Sequence, residues 1–469
     1  MDYKKQIETY FETHREELVQ DAMALIRIDS TRGAAFPGMP YGPGPRQALD
    51  AALALARQAG FPVRLYDDCV GTAELAAGPR GLDILAHLDV VPVEDNWTAC
   101  PPFEPRVVDG RLYGRGAQDD KGPAVAALYA MRCIKELGLP LGKTVRLVLG
   151  TDEECGSSDL PHYYAKEEEA PVTISPDADF PLINLERGQM WGEIRADFVP
   201  SEALPRLKRL QAGAKTNVVP ASGTAVVEGL CAAQAEPIAQ AVTAQTGVRF
   251  TLQQRENELH IRAEGVGAHA ATPQNGNNAL TGLLTLLARL PLAPSAQTDA
   301  VQALSCLFPH GDWQGQALGI AQADPVAGEL TISLNLLQVD AASLCAMSDS
   351  RVPLCATEEN CAGAFQRACE AAGLRVEHLK QTPVHHVPAD RPFIQALLHA
   401  YTDWTGRPGQ CLSIGGGTYV HDLKNGVAFG CSMPGTDYHI HDADEFIPVE
   451  ELVLSAKILT QAILTLCQA

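Results

Sequence analysis

Three apolar segments of different periodicity follow one another in the first part of the chain. LDILAHLDVVP (82–92) predicts a strand, GPAVAALYAMRCIKELG (122–138) a helix, and TVRLVLG (144–150) a second strand. A further short strand is predicted at PVTISPD (171–177). This order is typical of parallel βαβ units, in which helices cover both faces of the sheet. We therefore expect an α/β fold with a mixed, largely parallel sheet sandwiched by helices.

The pattern changes near residue 186. Apolar and polar residues then alternate, as in half-exposed antiparallel strands. Residues 236–254 and 360–380 each read as a helix, a glycine and a strand, which suggests a duplicated α+β domain. Strand and helix alternation returns after residue 382. The sequence therefore predicts a catalytic domain formed by residues 1–185 and 383–469, interrupted by an inserted lid domain over residues 186–382.

Charge and composition exclude several classes of partner. The 469 residues include 36 Lys and Arg against 57 Asp and Glu, which gives a formal net charge of −21 that would repel a nucleic acid. The N-terminal segment lacks an apolar signal-peptide core, and no later run is long enough to span a membrane. The 13 cysteines include no CxxC pair and read as reduced thiols. We expect a cytoplasmic protein without nucleic-acid or membrane partners.

His87 and Asp89 lie two residues apart at the end of the first predicted strand, so both side chains should leave the same face. Other acidic residues follow the later strands or precede the helix, and two histidines lie near the C-terminus. The carboxyl ends of parallel strands meet at one edge of the sheet, where ligand sites form. Helix capping by the aspartates, or plain solvation of the acidic residues, is the simpler explanation of each motif alone. Together they form a nitrogen and oxygen donor set without thiolate, which suits zinc, manganese or cobalt. The residues concerned are His87, Asp89, Asp119, Asp120, Asp152, Glu153, Glu154, Asp177, His439, His441 and Glu445.

Six motifs occur in the order of a known enzyme group: ILAHLDVVP, GRGAQDDKGP, GTDEECGSSD, SPDADFP, GVGAHAATPQNGNNA and HDADE. Together they resemble the co-catalytic di-zinc metallopeptidase clan that includes the aminoacylases and glutamate carboxypeptidases. The long insertion and the closing GGGTY…KNGVAFG…PG segment resemble its PepV-like dipeptidases in particular. The resemblance covers nearly the whole chain.

The resemblance implies a role for each motif. Asp119 would bridge two metals, with His87 and Asp177 completing one site and Glu154 and His441 the other. Glu153 would be the general base, and Asp89 would orient His87. His439 competes with His441 as a ligand, and His421 has no assigned role. His269 would stabilise the oxyanion, while Asn217 and Arg351 would bind substrate. The glycines around Gly416 would bring backbone amides to a substrate carboxylate, or form only a tight turn.

These roles imply a metal-dependent dipeptidase that hydrolyses unblocked dipeptides with two divalent metal ions. Zinc is the expected metal, and manganese and cobalt fit the same donors. The alternative is an N-acyl-amino-acid deacylase or a carboxypeptidase of the same clan, which would share every metal ligand. A catalytically silent metal-binding protein would not need Glu153, Asp89 and His269 together. The duplicated insertion leads us to expect a monomer.

Overall fold

The protein, described here by a computed structural model over residues 3–468, forms two compact units. The first unit comprises the chain up to Glu186 and from His385 onward, and the second comprises Arg187–Val384. The assignment of these units as catalytic domain and lid stays a prediction.

Ten helices are found among residues 3–468, and short helical turns at Glu153–Cys155, Pro273–Asn275 and Glu358–Ala362 accompany them. The helices are α1 Lys4–Ile26, α2 Pro43–Gln58, α3 Lys121–Leu137, α4 Leu160–Tyr164, α5 Ala232–Thr246, α6 Ala279–Leu287, α7 Ala296–Leu307, α8 Gly363–Ala371, α9 Pro392–Thr405 and α10 Val449–Leu466.

The strands are numbered along the chain. Up to Glu186 they are β1 Val63–Tyr66, β2 Val70–Leu75, β3 Arg80–His87, β4 Arg106–Val108, β5 Arg111–Tyr113, β6 Thr144–Gly150, β7 Val172–Ser175, β8 Ala178–Asp179 and β9 Leu182–Glu186. The second unit contains β10 Gly188–Asp197, β11 Arg206–Ala212, β12 Val218–Val219, β13 Ser222–Glu228, β14 Arg249–Arg255, β15 Glu258–Glu264, β16 Ala268–His269, β17 Ala323–Asp324, β18 Gly328–Glu329, β19 Thr331–Val339, β20 Ser343–Val352 and β21 Arg375–Gln381. The remaining strands are β22 His385–His386, β23 Cys411–Ile414, β24 Gly426–Ala428, β25 Cys431–Ser432 and β26 Phe446–Pro448.

The main sheet of the first unit is mixed, as the sequence predicts. Its order is β1-β2-β6-β3-β7-β24-β9-β22, and β23 also pairs with β9. Neighbours within the central group β6-β3-β7-β24 run parallel, whereas the pairs β1-β2, β2-β6, β24-β9 and β9-β22 are antiparallel. The expectation of a largely parallel sheet therefore holds for its centre, where the carboxyl ends of three strands supply the candidate site.

Both faces of this centre are buried. Leu82, Ile84 and Ala86 of β3 belong to a core that also contains residues of α1, α2, α3, α9 and α10. Leu85, between them, belongs to a separate cluster with Tyr163 and Tyr419 on the opposite face. Alternate residues of a strand point to opposite faces, so this continuously apolar strand packs on both sides.

The second unit contains an antiparallel sheet of order β14-β15-β13-β11-β19-β20-β10-β21. Its apolar core includes residues of α5, α6, α7 and α8. The two segments that suggested a duplication place β14, after α5, at one edge of the sheet and β21, after α8, at the other. That these two halves are a duplication stays a prediction.

Two strand ends predicted from the sequence are wrong. The strand predicted over residues 171–177 ends at Ser175, so Asp177 lies beyond it. The strand predicted over residues 82–92 ends at His87, where its pairing with β6 also ends. Asp89 therefore follows the strand, so its position does not follow from strand alternation with His87.

Two further features agree with the composition. All 13 cysteines lie within the described residues, and each is a free thiol. Among residues 3–468, no helix is both long and apolar enough to cross a membrane.

Candidate metal centre and active site

The carboxyl ends of three parallel strands, β3, β6 and β7, position most of the predicted site residues of the first unit. His87 is the last residue of β3, Glu153 and Glu154 follow β6 closely, and Asp177 lies two residues beyond β7. Asp119 stands just before α3. This is the edge of an α/β sheet where ligand sites form, because the strands end and the connecting segments begin there.

One group of ligand atoms is formed by His87, Asp119 and Asp177. His87 Nε2 lies 2.9 Å from Asp119 Oδ1 and 3.5 Å from Asp177 Oδ2. His87 is fully buried, and its Nδ1 lies 3.1 Å from the backbone oxygen of Asp89. A carbonyl only accepts, so Nδ1 carries the proton and Nε2 presents its lone pair to the two carboxylates.

A second group uses the other oxygen of Asp119. His441 Nε2 lies 3.0 Å from Asp119 Oδ2 and 3.1 Å from Glu154 Oε1. His439 belongs to neither group: its Nδ1 lies 3.2 Å from the backbone oxygen of Ala443. The structure therefore places His441, rather than His439, beside the predicted ligands.

The two groups fit a pair of cations. His87 Nε2 and Asp119 Oδ1 are buried and form no hydrogen bond with a described residue, although they lie within contact distance of each other. Two acceptors that face each other in this way repel unless a proton or a metal cation lies between them. The imidazole and carboxylate donors suit zinc, manganese or cobalt.

The pKa values of the clustered groups also favour bound cations. Burial and the negative charge of Asp119 raise the pKa of Asp177 to about 7. Asp119 and Glu154 raise the pKa of His441 to about 11. Burial also raises the pKa of Glu153 well above its usual range. Carboxylates brought this close are unfavourable together, and divalent cations would offset their repulsion.

Asp89 holds the turn that carries Glu153 and Glu154. Its Oδ1 accepts the backbone N–H of Glu153 and its Oδ2 that of Glu154, both at 3.1 Å. Asp89 Oδ1 is 3.5 Å from His87 Nδ1, farther than the backbone oxygen of the same residue. Asp89 thus orients His87 mainly through its carbonyl, and its carboxylate fixes the neighbouring turn.

Glu445 holds the segment that carries Asp119. Its carboxylate accepts backbone N–H groups of Gly116, Gln118 and Asp119 at 2.9 to 3.1 Å. Arg115 Nη1 donates to Glu445 Oε2 at 2.6 Å, and both side chains are buried. Burial of a carboxylate is costly without such partners, so Glu445 stabilises the Asp119 segment through a satisfied network.

The glycine-rich turn after β23 lies in the first unit. Thr418 donates to Glu186 through its backbone N–H at 3.2 Å and its hydroxyl at 2.7 Å. His421 Nδ1 lies 3.0 Å from the same carboxylate, which gives this histidine the partner that the sequence did not reveal. A side chain at Gly416 would meet nothing within 4 Å, so crowding does not require glycine there.

The remaining predicted residues lie in the second unit. β12 pairs with β16 so that Val218 is opposite His269, and Ala270 N–H donates to the backbone oxygen of Asn217 at 2.9 Å. Asn217 and His269 therefore occupy adjacent segments. The N–H of Ala271 donates to His269 Nδ1 at 3.1 Å, which leaves the ring proton on Nε2. Burial and the charge of Arg351 lower the pKa of His269, so a neutral ring is favoured.

Arg351 lies on β20 in a buried ion pair. Its Nη1 donates to Asp349 Oδ1 at 2.5 Å, and the exposed fractions of the two residues are 4% and 7%. The second unit contains another possible metal group, formed by Glu193, Glu377 and His378. Its negative charge is already partly balanced by a guanidinium group. Arg195 pairs with both of its glutamates.

Comparison with known proteins decides the family. A family model described as peptidase family M20/M25/M40 matches residues 84–465, which is most of the chain. The chain belongs to this family. Its members are metal-dependent hydrolases that act on peptide bonds.

Curated relatives of this M20 peptidase match over almost their full length. YtjP of Bacillus subtilis (strain 168), named provisionally as a dipeptidase, is 34% identical over 97% of this chain and 98% of its own. The Beta-Ala-Xaa dipeptidase of Lactobacillus delbrueckii subsp. lactis is 31% identical over 96% of each chain. Among solved structures, the di-peptidase Dug1p of Saccharomyces cerevisiae matches with a TM-score of 0.61 at 13% identity, covering 100% of both chains. At that identity the structural match shows the fold alone.

Sequence reasoning missed the roles of several supporting residues in this M20 peptidase. Glu445 appeared in the closing motif without a role, and Arg115 was not singled out. Their contact joins residues that are 330 positions apart, so no local sequence pattern could predict it. Asp349 was also missed. It lies two residues before Arg351 on a strand, so both side chains are on the same face, and this spacing could have indicated their contact.

Proposed function

We propose that the chain is a two-metal dipeptidase that hydrolyses short peptides with a free amino terminus. The observation that supports this best is the position of Asp119, whose two oxygens face His87 and His441 in separate ligand groups. The names of YtjP and of the Beta-Ala-Xaa dipeptidase support dipeptides as the substrate class.

Five residues would hold the metals. His87 and Asp177 would hold one ion, Glu154 and His441 would hold the other, and Asp119 belongs to both candidate groups. Zinc is the expected metal, with manganese and cobalt compatible. When bound, a pair of such ions polarises the scissile carbonyl and lowers the pKa of water.

Glu153 would act as the general base. It takes a proton from the attacking water and returns that proton to the leaving amine. Burial raises the pKa of its carboxyl above the usual range, which favours the uptake of a proton by this group. Asp89 holds the backbone of Glu153, so the direction of this carboxylate depends on Asp89.

His269 would stabilise the developing oxyanion. With its proton on Nε2, the ring donates a hydrogen bond to the oxygen of the scissile carbonyl as negative charge develops there. The lowered pKa of His269 keeps the imidazole neutral, and a neutral ring still has this donor.

Substrate ends would be bound by three further elements. Arg351 recognises the terminal carboxylate through its planar guanidinium, and Asp349 holds the arginine in place. Asn217, in the segment beside His269, provides an amide for the peptide group. Backbone amides near Gly416 offer a second contact for a carboxylate.

A deacylase or carboxypeptidase with the same ligands is the competing function. A free dipeptide and its N-acetylated form, compared with the zinc-loaded protein, separate the two. A dipeptidase should cleave the free form with the higher kcat/KM, and a clear preference for the acetylated form would overturn our assignment. A β-alanyl dipeptide and its α-alanyl counterpart would then show which distance between the free amine and the scissile carbonyl the site prefers.

We also propose that the protein is a cytoplasmic monomer. The predicted duplication in the second unit supports a monomer, since two similar halves in one chain would replace a pairing between two chains. Light scattering should give the mass of one chain, and a dimer mass would contradict it.

A further inference from the structure

Tyr419 follows the glycine-rich turn by two residues and points into the protein. Only 3% of the residue is exposed, and its ring belongs to an apolar cluster with Leu85, Val148 and Ile183. A buried phenol needs a partner for its hydroxyl. Tyr419 donates to Asp159 Oδ2 at 2.7 Å, and its oxygen lies 3.5 Å from the donating backbone nitrogen of Asp152.

Asp159 joins the two ends of the turn that begins at Thr151 and contains Glu153 and Glu154. The same Oδ2 accepts the backbone N–H of Thr151 at 2.6 Å, and Asp159 is fully buried. Thr151 is the first residue after β6, so this contact closes the segment that contains Glu153 and Glu154. The Tyr419 hydroxyl is thus bonded to both ends of the turn, through Asp152 and Asp159.

The tyrosine also lies against a predicted metal ligand. Its ring meets the His87 ring edge to face, with perpendicular planes and 6.0 Å between centroids. A β-carbon at Gly150 would lie 2.1 Å from the Tyr419 oxygen and 2.6 Å from Asp159 Oδ2. Only glycine leaves room there, which accounts for the glycine that opens the GTDEE motif.

We propose that Tyr419 is a positioning residue whose hydrogen bond to Asp159 fixes the Glu153 and Glu154 turn relative to His87. The proposal rests on the proposed two-metal function. Tyr419 contacts neither metal nor substrate in this account; it acts through Asp159, Asp152 and the His87 ring. Because Tyr419 adjoins the Gly415–Gly417 turn, it also joins a predicted substrate-binding segment to the metal-binding one.

The molecule contains a matched control for a merely structural tyrosine. Tyr129 on α3 is also buried, and it donates to the partly buried Asp21 on α1 at 2.7 Å. Neither residue is a predicted site residue. Tyr419→Phe and Tyr129→Phe each remove one hydroxyl and its hydrogen bond to an aspartate, and Tyr419→Phe also removes the weaker 3.5 Å contact with the backbone nitrogen of Asp152. A structural role predicts the same behaviour for both variants.

The experiment compares both variants with wild type in urea midpoint, zinc dissociation constant by chelator competition, and kcat and KM for a dipeptide. We expect similar midpoint losses. Only Tyr419→Phe should lower kcat about 10-fold and weaken zinc about 10-fold, with KM little changed, as for other outer partners of metal ligands. Unchanged kcat and zinc affinity in Tyr419→Phe, or equal losses in Tyr129→Phe, would overturn the proposal.

A conservative variant supplies a second test that also covers poor folding of Tyr419→Phe. Asp159→Asn keeps an oxygen that accepts both hydrogen bonds, so its kcat should stay close to wild type, whereas Asp159→Ala should lose activity and zinc affinity together. Equal activity of the two variants would contradict the proposal. The zinc measurement needs no substrate, so failure of wild type to cleave dipeptides would reject the proposed function and leave the positioning role open to its own test.

Discussion

The carboxylate of Asp89 accepts the backbone N–H of Glu153, with 3.1 Å between Oδ1 and the nitrogen. Its second oxygen accepts the N–H of Glu154 at the same distance, and its carbonyl accepts the ring N–H of His87. One residue therefore fixes the predicted general base and a ligand from each metal group. Displacement of Asp89 would disturb all three.

Asp89→Asn should impair metal binding and catalysis together. The amide replaces one acceptor oxygen by a donor, so one backbone N–H loses its partner. We expect metal affinity or kcat to fall about 10- to 100-fold, measured by chelator competition and initial rates. Asp312→Asn is the control, because Asp312 also accepts one backbone N–H at each oxygen, from Gln316 and Ala317. A comparable loss of zinc in the control would contradict a specific role for Asp89.

Neighbouring glutamates should behave differently when changed to glutamine. Glu153→Gln removes the proposed base, so kcat should fall by about 100- to 10,000-fold while both metals stay bound. Glu154→Gln removes a ligand and should lower the metal content as well. Elemental analysis beside rate measurements separates the two effects, and an active Glu153→Gln variant would remove this residue from the mechanism.

The histidine ligand near the C-terminus can be identified by a pair of variants. His441→Ala should weaken one metal site, because its Nε2 lies within 3.1 Å of Asp119 and Glu154. His439→Ala should leave the zinc stoichiometry at the wild-type value, since its ring contacts Ala443 and Phe446 instead. Titration calorimetry with zinc tests this, and the reverse outcome would reassign the ligand.

Loss of Glu445 should destabilise the protein more than loss of an exposed partner. Glu445→Gln leaves the buried Arg115 guanidinium uncompensated, for which about 3 to 5 kcal/mol of unfolding free energy is expected. Glu450→Gln breaks an exposed pair with Arg15 and should cost about 1 kcal/mol or less. Urea unfolding of both variants provides the comparison, and equal losses would show that the Glu445 network is not what holds the Asp119 segment.

Stability should depend on pH through Asp159. Burial raises the pKa of this carboxyl to about 6, above its unfolded value of 3.8. The folded state therefore holds the proton more tightly, and wild type loses stability relative to Asp159→Asn as the pH rises between those two values. Above about pH 6 the difference should level off. Urea unfolding of both proteins across this range measures it, and a difference that shrinks as pH rises would contradict the assigned direction.

Elements set by local sequence patterns could be predicted, whereas most contacts between distant residues could not. Thr144–Gly150 is a strand with the predicted bounds, because an apolar run between turn residues is a local signal. The strand ending at His87 was overestimated, since the apolar residues after it are buried outside the sheet.

Contacts between distant segments explain most of what the sequence did not reveal. Arg115 meets Glu445, His421 meets Glu186, and Tyr419 meets Asp159, each across more than 200 residues. Such pairs are set by the packing of the sheet and its connections. The residues that bind the predicted metals could be proposed from motifs, whereas the residues that hold those motifs in place required the fold.

The most direct test of the two-metal proposal is dipeptide hydrolysis during removal and return of zinc. Exhaustive chelation should abolish cleavage of a free dipeptide, and titration with zinc should restore it with saturation at two ions per chain. Cleavage that persists after complete removal of metal would contradict the account.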